Sequence, residues 1–355
     1  MRIKRSLFVI SLLVLFLFCY TIMNKHFDEL ARYPYELSES QRKLVLEHLN
    51  TDEINTLISN KIEPKQFLPY IEEEGFELSN TLWYDSFYLT QSEKQSKSFI
   101  ISFVNKYKSH LQYNEIKDLV SNYSFNVMIR FFDEGDAYVS GTKLVANPDY
   151  KYTMLTSKQT IHSYEPKDLV SVGSLPHTSI VKDANDILVK SEVLAPLQQL
   201  CDAAKEINGK AYGDMQLVAG YISYEDQIKL YENAIKKHNG KDLKEFWDYP
   251  GQSEYQLGYS VQLLPNEVQA DITNREMETN AENKVSISEG EREQEIWLKD
   301  NAYKYGFVIR YTKANEDVTG KKHQPYTLRY VGKEMAKQMH DKNLPLEEVT
   351  LSEYK

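Results

Sequence analysis

The chain has 355 residues, with 42 Lys and Arg against 52 Asp and Glu, a formal charge of −10 and only 2 Cys. An acidic balance argues against nucleic acid as a partner, because phosphate binding needs a basic face, and two cysteines exclude a disulfide framework. An apolar fraction of 41%, with 26 Tyr and 14 Phe, excludes wholesale disorder, and the length suggests about two domains.

The first element is an uncharged apolar run of 18 residues, Ser6 to Met23, preceded by Arg2, Lys4 and Arg5. That is about the shortest helix that crosses a bilayer's hydrocarbon core. A cleaved signal peptide would have a shorter apolar stretch ending in small residues; here the run ends in Phe18-Cys19-Tyr20, and bulky Phe18 suits lipidation of Cys19 poorly. Residues 1–25 are therefore expected to be an uncleaved, single-pass membrane anchor. Its basic flank places the N-terminus in the cytoplasm and everything after it outside. That outward part holds 38 basic and 52 acidic residues, a net of −14.

Residues 26–150 read as a mostly helical extracytoplasmic region. Leu44, Leu46 and Leu49 form an amphipathic run after the N-cap candidates Ser38 and Ser40. Thr51–Asn60 repeats the pattern, and Pro64 suits the first turn of a further helix. The aromatic string Trp83–Tyr88 reads as core more readily than as a sugar-stacking surface.

From 151 to 355 the pattern becomes α+β, and a small antiparallel sheet with flanking helices is expected. Helices are predicted over Ser191–Ile207, Tyr224–Lys237 and Glu291–Tyr305, the last stopped by Gly306. Strands are predicted over Gln216–Ile222, Tyr259–Leu264, Phe307–Tyr311 and Tyr326–Val331, and Asn266–Ser288 as a long charged loop.

Four strings in this second half stand in a telling order: Val218-Ala219-Gly220-Tyr221-Ile222-Ser223, Pro250-Gly251-Gln252-Ser253-Glu254-Tyr255-Gln256-Leu257-Gly258, Trp297-Leu298 through Gly306-Phe307, and Gln324-Pro325-Tyr326-Thr327-Leu328-Arg329-Tyr330-Val331-Gly332. Together they resemble the VanY-type D-alanyl-D-alanine carboxypeptidases, zinc peptidases that trim peptidoglycan stem peptides. The resemblance covers roughly residues 150–350 and implies that family's fold. It also implies zinc, held by a His and an Asp of the first metal motif and a His of the second, with a Glu as general base.

Laid onto this chain, Ser253, Gly258 and Pro325 match, but the ligand positions hold Tyr255, Gln262 and Thr327. The base position holds Gln324, and the position of a substrate-binding Arg holds Ile222. An amide and a hydroxyl are poor zinc donors, a Tyr would have to ionise from a pKa near 10, and an amide takes no proton from water. His323, Asp248 and Glu254 lie close by in sequence but do not restore the ligand set. The expectations are then a homologue that is not an enzyme, no zinc or other cofactor, and a cleft lined by Gln227, Ser253, Tyr255, Gln262, Gln324, Tyr326, Thr327 and Arg329. Such a cleft would hydrogen-bond a wall stem peptide, or the domain would contact a wall-synthesis protein. The alternative is an active D,D-carboxypeptidase or endopeptidase with a non-standard metal site.

Overall fold

A computed structural model of the chain describes residues 10–20, 28–91, 93–181, 184, 186–237, 248–266 and 292–349. The chain divides into two compact units, Met1–Lys117 and Asp118–Lys355. Residues 118–150, grouped with the helical region by sequence, thus belong to the second unit.

In the first unit, residues 10–20 of the expected anchor are helical and exposed. The rest of the apolar run lies outside the described residues, and no described helix is long and apolar enough to cross a membrane. Next come α1 (Glu39–His48), α2 (Thr51–Ser59), α3 (Pro64–Phe67), α4 (Thr81–Thr90) and α5 (Lys97–Tyr107). Ser38 closes a capping box on α1: its hydroxyl accepts from the Gln41 N–H, and the Gln41 side chain accepts from the Ser38 N–H. Asn50 and Glu53 repeat the arrangement on α2. Val45, Leu49, Ile54, Leu57 and Phe67 meet in one core, whereas Leu46 is exposed. Tyr84 and Phe87 are fully buried, with the Phe87 ring edge-on to Phe103 at 5.3 Å. The centre of the Trp83–Tyr88 string is therefore core.

The second unit contains α6 (Ile116–Asn122), whose first two residues precede the division, α7 (Phe125–Glu134) and four short strands, β1 (Lys143–Leu144), β2 (Gln159–Thr160), β3 (Leu169–Ser171) and β4 (Leu188–Lys190). It continues with α8 (Ser191–Ala203), β5 (Met215–Ala219), α9 (Tyr224–Lys237), β6 (Ser260–Pro265), α10 (Glu293–Asn301), β7 (Phe307–Tyr311), α11 (Glu316–Thr319), β8 (Gln324–Tyr330) and α12 (Lys333–Lys342). Strands β5, β6, β8 and β7 form an antiparallel sheet in that order. Leu217, Val261, Leu263, Phe307 and Leu328 are fully buried in it, as are Val193, Leu197 and Leu200 of α8. Each such side chain contributes about 1.5–3 kcal/mol of burial.

The predicted strands match within a few residues, and the departures have local causes. β5 ends at Ala219 rather than Ile222. Its pairing with β6 slips between Leu217 and Ala219, and the Tyr221 N–H then donates to the Leu188 carbonyl of β4. The chain crosses so close to β4 at Gly220 that a Cβ there would lie 2.4 Å from that carbonyl oxygen. β8 starts earlier than predicted because Gln324 pairs with Tyr311 beyond an irregularity at which β8 carries the extra residues. Most of the predicted loop, residues 267–288, lies outside the described residues.

Candidate functional site

Ser253 leads into a single 3₁₀ turn, Glu254–Leu257, which ends at Gly258 in the left-handed region (φ +76°) and passes directly into β6. The glycine is required there twice over: a side chain would be strained at that φ, and its Cβ would meet Lys190 Cγ at 3.0 Å. Successive residues of so tight a turn face different surroundings, and the site is built from that divergence.

Tyr255 turns toward β8. Its hydroxyl lies 3.4 Å from Thr327 Oγ1, and Thr327 Oγ1 donates to Gln324 Oε1 at 3.1 Å. Gln262 of β6 stands opposite Thr327 in the ladder, so the two side chains share one face of the sheet. Thr327 is buried, while Tyr255, Gln262 and Gln324 are half-buried. Burial pushes the Tyr255 phenol well above the ordinary tyrosine range, and the Thr327 hydrogen bond offsets only part of that. Four of the expected cleft residues are thus brought together, with the buried Ser253 at the head of the same turn.

The remaining three lie elsewhere. Tyr326 alternates to the opposite face, near Arg292 and Glu295, where burial pushes its phenol up to about 12. Gln227 is buried, with its amide engaged inside the fold. Its Nε2 donates to the Ile222 carbonyl and to Gln256 Oε1, and its Oε1 accepts from the Gly251 N–H. Gln256 in turn donates to the carbonyls of His162 and Tyr164. This pair of amides clasps α9, the 3₁₀ turn and residues 162–164 together. Ile222, at the position of the family's substrate-binding Arg, is itself buried.

Arg329 has no exposure at all. Its Nη2 donates to the carbonyls of Lys151 and Thr153, and its Nη1 lies 3.5 Å from Glu254 Oε2. Glu254 is gripped on both oxygens by Arg310, through Nε at 2.9 Å and Nη2 at 2.8 Å, and Arg310 also holds Glu347. Burial pushes the Glu254 carboxyl up, but the Arg310 and Arg329 guanidiniums outweigh it and hold the group below the usual glutamate range. Sequence reasoning missed Arg310 and Glu347, because partners so far apart in the chain leave no local pattern. The Gln256 clasp sat inside a quoted string without a signal of its own.

The charged residues near these strings are also placed. Lys321 Nζ lies 2.5 Å from Asp248 Oδ1, and His323 Nε2 lies 2.8 Å from Glu295 Oε1. His162 stacks on Tyr224 at 4.9 Å. Among the described residues no three His, Cys, Asp or Glu side chains are grouped so as to hold a metal. The zinc implied by the family resemblance does not fit the side chains at its positions. They offer a phenol kept protonated by burial, an amide and an already hydrogen-bonded hydroxyl, whereas zinc takes imidazole, thiolate or carboxylate.

A D-alanyl-D-alanine carboxypeptidase family model of the VanY type matches residues 186–333. The provisionally named carboxypeptidase YodJ of Bacillus subtilis is 32% identical over 237 residues, covering 65% of this chain and 78% of that protein. A D-alanyl-D-alanine carboxypeptidase of Enterococcus faecalis is 27% identical, covering 59% of this chain and 74% of the relative. Among solved structures, the LdcB LD-carboxypeptidase is 32% identical over 59% of this chain and 90% of its own, with a TM-score of 0.46.

The chain belongs to the VanY-type D-alanyl-D-alanine carboxypeptidase family. This corrects the expectation that it is not an enzyme. Its relatives are named carboxypeptidases and point to a peptidase, and nothing in the geometry is a positive sign of inactivity. The substitutions at Tyr255, Gln262, Thr327 and Gln324 speak to one donor set and one base, which is narrower than the class of protein.

Proposed function

We propose that the chain is a membrane-tethered, peptidoglycan-directed member of this family that takes wall stem peptides at the Tyr255–Thr327–Gln324 cluster. The observation that carries this reading is that strings separated by about seventy residues in sequence, which the family resemblance marks as its two metal motifs, meet in one hydrogen-bonded group. The relatives' names support the substrate class. The tether rests on the apolar run Ser6–Met23 behind three basic residues, a flank that supports an outward-facing second unit.

Isothermal titration of the full chain in detergent with a pentapeptide ending in D-Ala-D-Ala tests recognition; binding is expected, and no heat at millimolar peptide overturns the reading. The same mixture is assayed for released D-alanine, with and without added zinc, to establish whether recognition proceeds to cleavage. For the tether, a tagged chain is expected in the membrane fraction, with protease added outside reaching the second unit. Recovery of the full-length chain in the soluble fraction would remove that part of the proposal.

A further inference from the structure

We infer that Tyr255, Thr327 and Gln324, with Gln262 beside them, form a metal-independent recognition cluster standing where the family would place a metal, so that the wall peptide is held by neutral hydrogen-bonding groups alone. This rests on the reading under Proposed function and adds the chemistry of that site.

Three observations support it. First, the cluster closes on itself: the Tyr255 hydroxyl meets Thr327, and Thr327 donates to Gln324. The oxygen atoms that would have to face an ion are already turned toward one another. Second, the ionisable side chains of the surrounding strings are drawn away from it. Glu254 goes to Arg310, Asp248 to Lys321 and His323 to Glu295. Recruiting any of them to an ion means breaking an existing pair, and for Glu254 that pair is fully buried. Third, hydrogen-bonding capacity is left over at the surface of the cluster. Gln324 accepts from Thr327 and keeps its NH₂ group, and the Gln262 side chain makes no hydrogen bond among the described residues; both are half-buried. Two amides with open donors and acceptors match the N–H and C=O groups of a peptide main chain. None of these groups needs to change protonation to bind.

The frame brings these three positions to one place. Tyr255, Gln262 and Thr327 come from a turn and two strands and converge on Thr327, with the Tyr255 hydroxyl beside it and Gln262 directly opposite it in the ladder. Replacing the three together by His, Asp and His should therefore create a zinc site without altering the fold around it.

The test uses the full chain in detergent and has three arms. Peptide titration before and after chelator treatment should give the same affinity, within about twofold, because no ligand-bound metal is being removed. Elemental analysis should find no stoichiometric zinc, and added zinc should leave the melting temperature unchanged. The Tyr255→His/Gln262→Asp/Thr327→His variant should take up about one zinc and melt about 5–10 °C higher with zinc at a hundred times its Kd. Stoichiometric zinc in the unaltered chain, or peptide binding abolished by chelator, overturns the inference. A variant with unchanged circular dichroism that takes no zinc overturns the claim that the frame converges. If the variant does not fold, the Gln262→Ala chain replaces it as a probe of the amide; it should bind peptide about tenfold more weakly, and unchanged affinity counts against the cluster. Absence of peptide binding in every arm sinks the reading under Proposed function instead, while zinc content and melting still decide the metal question.

Discussion

Glu254 and Tyr255 are neighbours on one 3₁₀ turn, yet they lead into opposite kinds of chemistry. Glu254 enters an ionic network with the buried Arg310 and Arg329, which Arg310 extends to the half-buried Glu347. Tyr255 enters a neutral, half-buried cluster with Thr327 and Gln324. The charge on Glu254 is used to hold strands and turn together, whereas the groups that meet Tyr255 directly are neutral. Ion pairs in a low-dielectric interior need complete partnering, whereas amides and hydroxyls beside water tolerate an unfilled bond. The two clusters should therefore respond very differently to the loss of a single group.

The largest effect is expected from Glu254→Gln. Removing one partner of a buried ion pair leaves Arg310 and Arg329 undercompensated and should cost about 3–5 kcal/mol in urea unfolding. A loss no greater than that of a neutral substitution would erase the contrast. The same carboxyl sets a pH dependence. Its pKa is depressed in the fold, so its contribution is fully present above the unfolded glutamate value of about 4.3 and is lost as pH falls through the lower folded value. Unfolding measured below that point should show the unaltered chain losing stability, with Glu254→Gln following a flatter curve.

Gln256→Ala comes next. It removes donors to His162 and Tyr164 and the acceptor for Gln227, leaves buried groups unpaired, and should cost about 1–3 kcal/mol in thermal melting. Thr327→Val keeps the shape and loses the hydroxyl between Tyr255 and Gln324. Both partners belong to half-buried residues, so a loss of about 1 kcal/mol is expected, with peptide binding affected more than stability. Tyr255→Phe removes only the 3.4 Å contact and should shift unfolding by less than about 1 kcal/mol. A larger loss from Tyr255→Phe than from Gln256→Ala would reverse the assignment of frame and site.

Much of the fold was legible because its signals are local. The caps at Ser38, the stop at Gly306 and the strand Phe307–Tyr311 depend on residues a few positions apart, and all three appear as read. The convergence of Tyr255, Gln262 and Thr327 was legible through family resemblance rather than periodicity. The role of Arg329 was not. In sequence it is one more polar residue on an alternating strand, and only the pairing of β8 with β6 and β7 shows it buried between them. The division at Lys117/Asp118 was hidden for a related reason: α7 has the same amphipathic texture as the helices before it, and texture does not say which unit a helix joins.

The alignment of β6 with β8 puts Ser260 opposite Arg329 and Gln262 opposite Thr327. A slip by one residue would turn Arg329 to the other side of the sheet, away from Glu254, and bring Tyr326 to the face where Thr327 now stands. Mispaired strands would thus strand a buried guanidinium at once, before any ligand arrives. The register that gives the buried guanidinium its carboxylate is thus the same register that sets Gln262 opposite Thr327.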